Sequence, residues 1–452
     1  MSSNRPYRRA AVAYYRFRTK QSPQFTIVLG FLVYTIVGWL LLCLPIFHTA
    51  PVSLLDNLFT AASAISTTGL VTVSLADSYN LAGEMLVALL FQIGGIGYMT
   101  LTTYYLLYTT HTLSHWHRNI IGAAFTMPET IEMKDFLRSA VVFTGVMEVL
   151  GSIGFLIAFT QTGMPFGQAL WYSVFHSISA FCTAGFGLLN NSFEDYADNV
   201  LINVIISVLA IAGSLGFIVV TDLYARLTGK SRQISFTTKI VVYGFLLLLT
   251  LGTVLLYYTE PLVHLTGSGA LMRSFFASMT AITTVGFNTI PTGSLRLPLL
   301  LIVTLLMYVG ASPSGTAGGM KITTLTAMIS ILKSRLTGAR VVTFFHRQIP
   351  AERLNVATST FILYTSFIFV FTLLLSYTES FPLEQLLFEV ASALGTVGLS
   401  TGITGSLSAT GKLLLILVMF IGRVGVLTFG FALLERKARE TTRQPLEEDL
   451  AV

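Results

Sequence analysis

Charge is what this sequence has least of. Of its 452 residues only 11% are Asp, Glu, Lys or Arg, against about 25% in ordinary soluble proteins. That scarcity argues against a soluble enzyme, a disordered chain and a nucleic-acid binder. Cysteine is nearly absent: Cys43 and Cys182 both lie in apolar stretches, and no disulfide framework is expected. No Ser/His/Asp or Cys/His set falls where it could share an aqueous pocket, so no catalytic residue and no enzyme is expected. What remains is apolar: 53% hydrophobic residues, 33 Phe and 37 Gly. This is the composition of an integral membrane protein, whose close-packed helices use glycine freely.

The net charge of +6 is unevenly placed. Of the 27 Lys and Arg, 22 fall in five segments: 1–24, 111–138, 226–239, 333–353 and 436–443. The connections between alternate spans carry acids instead: Asp77, Glu194, Asp195, Asp198, Glu260, Glu379 and Glu384. The positive-inside rule makes the basic segments cytoplasmic, and nucleic acid the poorer explanation of the charge. The first apolar span, about 25–47, is too long for a signal-peptide core, and no small-residue cleavage site follows it. It reads as a retained helix, with both termini cytoplasmic.

A bilayer helix needs about 20 apolar residues. Eight segments qualify: 25–47, 84–108, 136–160, 200–224, 238–258, 297–335, 354–376 and 411–435. The sixth is interrupted near 310–320. Between successive pairs lie shorter apolar segments, 55–67, 166–183, 270–284 and 382–396, too short to cross and read as re-entrant half-helices. Each ends in a related string: Thr67-Thr68-Gly69, Thr183-Ala184-Gly185, Thr284-Val285-Gly286 and Thr396-Val397-Gly398, followed by Leu or Phe. The glycines are 116, 101 and 112 residues apart. A second glycine motif follows each, opening at Gly94, Gly213, Gly310 and Gly422, 25, 28, 24 and 24 residues later. One Thr-x-Gly means little; four in step define a repeat of span, half-helix, glycine turn and span.

The fold expected is therefore an all-α integral membrane protein, four such repeats giving eight transmembrane helices around one pseudo-fourfold pore. The divisions expected are a cytoplasmic segment 1–24, repeats 25–110, 111–229, 230–338 and 339–437, and a cytoplasmic tail 438–452. Glycine tolerates positive φ, so consecutive carbonyls in the four strings can point inward and replace an ion's water shell. The half-helices would aim their partly negative C-terminal ends at the same place, favouring a cation. The strings hold no charged side chain, which suits a monovalent ion better than Ca²⁺. For a single glycine in a membrane helix the ordinary reading is a packing contact, and it is kept for Gly94, Gly97, Gly213 and Gly216.

With these motifs the chain resembles the Trk/Ktr/HKT superfamily of K⁺ transport proteins, most closely the bacterial Ktr-type membrane subunit. The resemblance covers about 25–437. It rests on the four glycine strings, on Gly310-Ala-Ser-Pro-Ser-Gly-Thr-Ala-Gly-Gly-Met-Lys321, and on Arg423. It implies K⁺ as the transported ion, a homodimer in membrane lipid, and a separate cytosolic nucleotide-binding ring of the KtrA kind. No metal other than permeating K⁺ is implied, and any nucleotide would sit on the regulatory subunit. Loops 226–239 and 333–353 and the C-terminal tail are the expected docking points for that ring. Glycine in all four strings implies K⁺ selectivity, since family members with Ser in the first are associated with Na⁺. Only about 24 residues precede the first span, whereas Trk-type subunits carry an extra helix pair there. The segment with Gly310, Ser312, Ser314, Gly315, Thr316, Gly318, Gly319 and Lys321 is implied to be an intramembrane gating loop. It lacks the adjacent Gly-Lys of a phosphate-binding loop. A Na⁺- or H⁺-coupled symporter of the same superfamily stays open as the alternative, although ionisable residues near the breaks are few.

Arg423 sits mid-span and should face the pore or a partner, an interhelical ion pair being the other reading. Glu148, also mid-span, reads as structurally paired. His111, His115 and His117, beside Trp116, read as an interfacial anchor rather than a metal site. Asp56 reads as the N-cap of the first half-helix.

Overall fold

The computed structural model describes residues 22–97, 133–229, 233–259, 261, 269–310 and 312–434. His111, His115 and His117, the N-terminal basic segment and the C-terminal tail lie outside these residues. Helices dominate. They are α1 (Pro23–Leu42), α2 (Leu54–Ile65), the short α3 (Leu75–Ser78), α4 (Leu81–Ile96), α5 (Met133–Gln161), α6 (Phe166–Phe181), α7 (Val200–Leu227) and α8 (Phe236–Thr259). There follow α9 (Ala270–Thr283), α10 (Leu297–Tyr308), α11 (Ile322–Thr337), α12 (Ala351–Thr378), α13 (Leu383–Leu394), α14 (Ala409–Val424) and α15 (Val426–Leu434). Among the described residues five helices, α1, α5, α7, α8 and α12, are long and apolar enough to cross a bilayer, and α14–α15 forms a sixth, bent pair. Large apolar side chains lie exposed along them, Leu247, Phe369 and Val149 among others. A soluble protein would bury such residues; a bilayer covers them.

Local chemistry sets the helix starts. Ser22, Asn80, Asn199 and Ser408 cap α1, α4, α7 and α14 through a side-chain oxygen that accepts an N–H from the first turn. At α2 the sequence reads Asp56 as the cap, but the cap is Ser53, whose Oγ accepts from Asp56 N at 3.0 Å. Asp56 occupies the third helical position, and its carboxylate accepts from Ser53 Oγ at 2.6 Å. It also accepts from Lys412 Nζ at 2.8 Å, which joins α2 to the start of α14.

Four short helices, α2, α6, α9 and α13, are the buried ones. Each packs between the helices before and after it in its own stretch of chain: α2 with α1 and α4, α6 with α5 and α7, α9 with α8 and α10, α13 with α12 and α14. Each also packs on one element from the stretch before it: α6 on α4, α9 on α7, α13 on α10, and α2 on α14. The last of these joins the first short helix to the last long one and closes the circle.

The helix following each of these four ends or bends at a glycine or a loop. Helix α4 ends at Gly97 (φ 84°), α7 kinks at Gly216 (φ 83°), and α14 turns by 99° into α15 at Gly425 (φ 92°). The packing reading of Gly97 and Gly216 is thus incomplete: both adopt a conformation that a Cβ disfavours, and both break a helix. Gly94 and Gly213 do pack. A Cβ on either would collide with the last carbonyl of a short helix, Ile65 or Phe181. In the third stretch the break is a whole loop, residues 309–321. Its ends are joined by a parallel bridge between β1 (Val309–Gly310) and β2 (Met320–Lys321). A hairpin, β3 (Thr343–Phe344) with β4 (Arg347–Gln348), links α11 to α12.

Candidate functional site

The four Thr-x-Gly strings meet. A Cβ placed on Gly69 would lie 2.5 Å from the Ala184 carbonyl oxygen and 2.9 Å from the Gly185 Cα. One on Gly185 would lie 2.6 Å from the Val285 oxygen, with the Gly286 Cα next. One on Gly286 would strike the Val397 oxygen and approach the Gly398 Cα; one on Gly398 would strike the Thr68 oxygen and approach the Gly69 Cα. The strings therefore touch in chain order and close on themselves, a carbonyl of each beside the glycine of the one before. All four glycines line one open bowl of about 320 Å³, whose wall carries Asn190, Ser192, Asn288, Ser400 and the carboxyl of Glu194. Asn288 Nδ2 donates to Glu194 at 2.6 Å, and Asn190 Nδ2 donates to Asp77 at 3.0 Å. Partial burial raises the Glu194 carboxyl above its ordinary value; the Asn288 hydrogen bond opposes this, and neighbouring Asp195 adds to it.

All four strings share one backbone shape. Thr67, Thr183, Thr284 and Thr396 have φ of 52°, 50°, 57° and 47°, and each glycine two residues on is also positive. Thr68, Ala184, Val285 and Val397 donate their N–H back to Ser63, Ser179, Thr280 and Ser392, closing each short helix by the same turn. Glycine is the usual left-handed residue in such a turn. A β-branched residue there costs on the order of 1–3 kcal/mol. Paying that four times over implies that the threonine side chains are needed.

Their surroundings say for what. The Thr183 hydroxyl lies 3.1 Å from that of Thr316, and Thr284 Oγ1 accepts from Gly318 N at 3.1 Å. The Thr396 hydroxyl is buried without a hydrogen-bond partner among the described residues and stands beside Gly318. The loop 312–319 thus lies directly against the threonine side of the ring. It is tied down elsewhere too. Thr316 N donates to Gly213 O at 3.1 Å, and Phe217 N donates to Ser314 O at 3.3 Å. Ile218 N donates to Ser314 Oγ at 3.2 Å. Ser312 Oγ turns back onto Pro313 O, Gly315 abuts the Ser214 carbonyl, and Gly319 has φ 70°. Gly310 packs on the Gly318 carbonyl.

Two cations hold this loop by carbonyls. Lys321 Nζ donates to Ala317 O at 2.5 Å and Gly318 O at 2.9 Å. Arg423 donates Nη1 to Thr316 O at 2.6 Å and Nη2 to the carbonyls of Gly94 and Gly95. No carboxylate contacts Arg423 among the described residues, so the ion-pair alternative finds no support. Glu148 accepts from Gln92 Nε2 at 3.0 Å and from the Cys182 thiol at 3.9 Å, and that thiol also lies 3.2 Å from Gln92 Oε1; among the described residues the partners of the Glu148 carboxyl are an amide and a thiol, with no basic side chain.

The sequence profile of TrkH, described as a cation transport protein, matches residues 18–438. The chain belongs to the TrkH family. It is 33% identical to the potassium/sodium uptake protein NtpJ of Enterococcus hirae, over 96% of this chain and 98% of that one. It is 34% identical to the Ktr system potassium uptake protein B of Bacillus subtilis, over 91% and 93%. The crystal structure of the potassium transporter TrkH from Vibrio parahaemolyticus superposes with a TM-score of 0.71 at 20% identity, over 93% of this chain and 86% of that one. That last likeness speaks to the fold alone. A multi-pass membrane protein of a cation-transport family, rather than an enzyme family, is what these findings establish.

One set of residues in this TrkH-family chain escaped the sequence reading. Six positions before each glycine stands a hydroxyl: Ser63, Ser179, Thr280 and Ser392. Ser63 Oγ and Ser392 Oγ accept from Gly69 N and Gly398 N, both at 3.1 Å. Ser179 Oγ and Thr280 Oγ1 donate to Phe186 O and Phe287 O at 2.8 and 2.7 Å. The fourfold recurrence of Ser or Thr at that spacing is the signal that was there to be read.

Proposed function

We propose that this chain conducts K⁺ across a cell membrane, as the ion-conducting subunit of a Ktr-type uptake system. The ring of Thr-x-Gly strings is its selectivity filter and the 310–321 loop its gate. The observation that carries the reading is the closed ring, with carbonyls of Thr68, Ala184, Val285 and Val397 each against a neighbour's glycine. Such oxygens replace the water shell of a dehydrated monovalent cation. The C-terminal ends of α2, α6, α9 and α13, where the strings begin, add a partly negative field.

In this reading the eight spans are α1, the apolar segment 84–108 read from the sequence, α5, α7, α8, α10–α11, α12 and α14–α15, in four repeats around one pore. The bowl with Glu194 faces outward, and the basic segments and both termini face the cytoplasm of a plasma-membrane protein. The loop lies under the filter as a plug, held by Arg423 and Lys321. Two copies form a homodimer, and a cytosolic nucleotide-binding ring moves the plug. The names of the Ktr system relatives support both K⁺ and a multi-component system. A second reading, permeation or coupling of Na⁺ beside K⁺, is favoured by the potassium/sodium name of the NtpJ relative.

The test is ion uptake by purified chain in liposomes, K⁺ against Na⁺, with and without a nucleotide-binding partner. K⁺ uptake well above Na⁺ is expected. Equal uptake of both favours the second reading, and no uptake of either under any condition sinks both.

A further inference from the structure

Nine positions before each string glycine, within the half-helix, the four stretches differ: Thr60, His176, Ala277 and Glu389. All four side chains are buried, and His176 and Glu389 are fully so, at 0% exposure. Their partners correspond. His176 Nε2 accepts from the backbone N–H of Leu188 at 3.2 Å. Glu389 Oε1 accepts from the backbone N–H of Thr401 at 2.9 Å. Leu188 and Thr401 each stand three residues after their glycine. Two unlike side chains thus make one contact at equivalent places: they hold the strand leaving the ring from behind.

Both clasps are well defined. The Leu188 N–H can only donate, and the Tyr172 carbonyl, 2.7 Å from His176 Nδ1, can only accept. The proton therefore sits on Nδ1, and the imidazole is neutral with Nε2 as acceptor. Glu389 gathers more of its strand. Ser400 Oγ lies 2.7 Å from Oε1, and Thr404 Oγ1 lies 2.7 Å from Oε2.

The other two strands lack this hold. In repeat one Thr60 stands beside the Tyr79 hydroxyl and Thr72, three residues after Gly69, beside the Asp56 carboxyl, and among the described residues neither hydroxyl takes a backbone N–H of the strand leaving the ring. In repeat three Ala277 is too short to reach anything. Beside it lies a cavity of about 20 Å³, room for about one water, and on its wall the Thr289 hydroxyl is buried without a partner among the described residues. In the closed order Gly69, Gly185, Gly286, Gly398, the second and fourth strings are diagonal to each other. The clasped pair and the unclasped pair therefore alternate around the ring.

We propose that His176 and Glu389 are positioning residues of the filter, clasping its two diagonal strands from behind so that the ring keeps the width that discriminates K⁺ from Na⁺. The proposal rests on the filter reading above. What matters is an acceptor atom at the right reach, not the carboxylate charge or the imidazole ring as such. Glutamine carries a carbonyl oxygen at the reach of Glu389 Oε1 and close to that of His176 Nε2. Aspartate keeps the charge but falls one methylene short.

The experiment is K⁺ and Na⁺ uptake by the full-length chain in liposomes, reading apparent KM and maximal rate separately for each ion. Glu389→Gln and His176→Gln should retain the K⁺ preference within about twofold. Glu389→Asp, Glu389→Leu and His176→Phe should lose about fivefold to tenfold of it, through the KM for K⁺, as expected when one backbone hydrogen bond is removed. If the leucine and phenylalanine variants fail to fold, the comparison of Asp with Gln at 389 decides. Unchanged preference in Glu389→Asp, or loss in Glu389→Gln with retention in Glu389→Asp, overturns the clasp while leaving the filter reading intact. A wild-type chain with no preference for K⁺ overturns both.

Discussion

Arg423 reaches across the molecule to the Thr316 carbonyl, 2.6 Å from its Nη1, and so ties α14 to the loop beneath the ring. The same guanidinium holds the carbonyls of Gly94 and Gly95 at the end of α4. A mid-span charge is costly to insert. Here it is spent on three backbone oxygens where two helices break, and only one of them belongs to the loop. If the loop is the gate proposed above, this contact is its latch, made when the loop is in place and lost when it moves.

Replacing Arg423 with Gln should weaken the latch without leaving a void. Charged hydrogen bonds contribute about 1.5–3 kcal/mol, so the closed state should lose roughly tenfold or more of its advantage. Partner-free K⁺ flux in liposomes should rise accordingly. A folded variant with unchanged partner-free flux would show that Arg423 does not hold the loop shut.

Thr316→Val is the finer probe. It preserves shape but removes the hydroxyl that meets Thr183 Oγ1 at 3.1 Å and Phe181 O at 3.2 Å. A net loss of about 1 kcal/mol predicts about a fivefold rise in partner-free flux. Deletion of Ser312–Gly318 should give a larger one and reduce dependence on the regulatory partner. Wild-type flux from a folded deletion protein would make the break a packing irregularity.

Gly69→Ser should lower K⁺ over Na⁺ discrimination. The reason is now specific: at φ 88° the new Cβ is strained, and it is aimed at the Ala184 carbonyl oxygen. The neighbouring string must move, so the damage spreads to a ligand the mutated residue does not own. Relative K⁺ and Na⁺ uptake checks it; no change would remove Gly69 from the filter.

Much of this arrangement was legible. The half-helices expected at 55–67, 166–183, 270–284 and 382–396 are observed as Leu54–Ile65, Phe166–Phe181, Ala270–Thr283 and Leu383–Leu394. Apolar pattern and glycine punctuation define such segments well. The left-handed threonines were not legible, because turn chemistry favours Gly or Asn there and Thr by itself reads as extended. Asp56 is not the cap because Ser53, three residues earlier, takes that place, and both residue types serve as caps. His176 and Glu389 were hidden for another reason. Repeat logic rewards sameness, and their position differs in all four copies; only the common backbone partner links them.

Glu194 predicts a pH dependence for the uptake proposed above. Its carboxyl lies in the bowl outside the spans, and burial raises it. A raised carboxyl is ionised only above that raised value, so the negative charge at the entrance is lost as pH falls through a window above the ordinary glutamate range. Uptake at low K⁺ concentration should fall with it. Glu194→Gln should raise the apparent KM for K⁺ about twofold at low ionic strength, less at high salt, and should flatten that step of the pH profile. An unaltered profile in the variant would assign the step elsewhere.

The central claim is that a K⁺-sized ion sits among the carbonyls of the four strings, above the loop. Replacing K⁺ with Rb⁺ in crystals of the full-length protein and mapping anomalous scattering tests it most directly. The account predicts a peak on the common axis of Gly69, Gly185, Gly286 and Gly398, between the oxygens of Thr68, Ala184, Val285 and Val397. A peak confined to side-chain carboxylates such as Glu148, with none inside the ring, would contradict it.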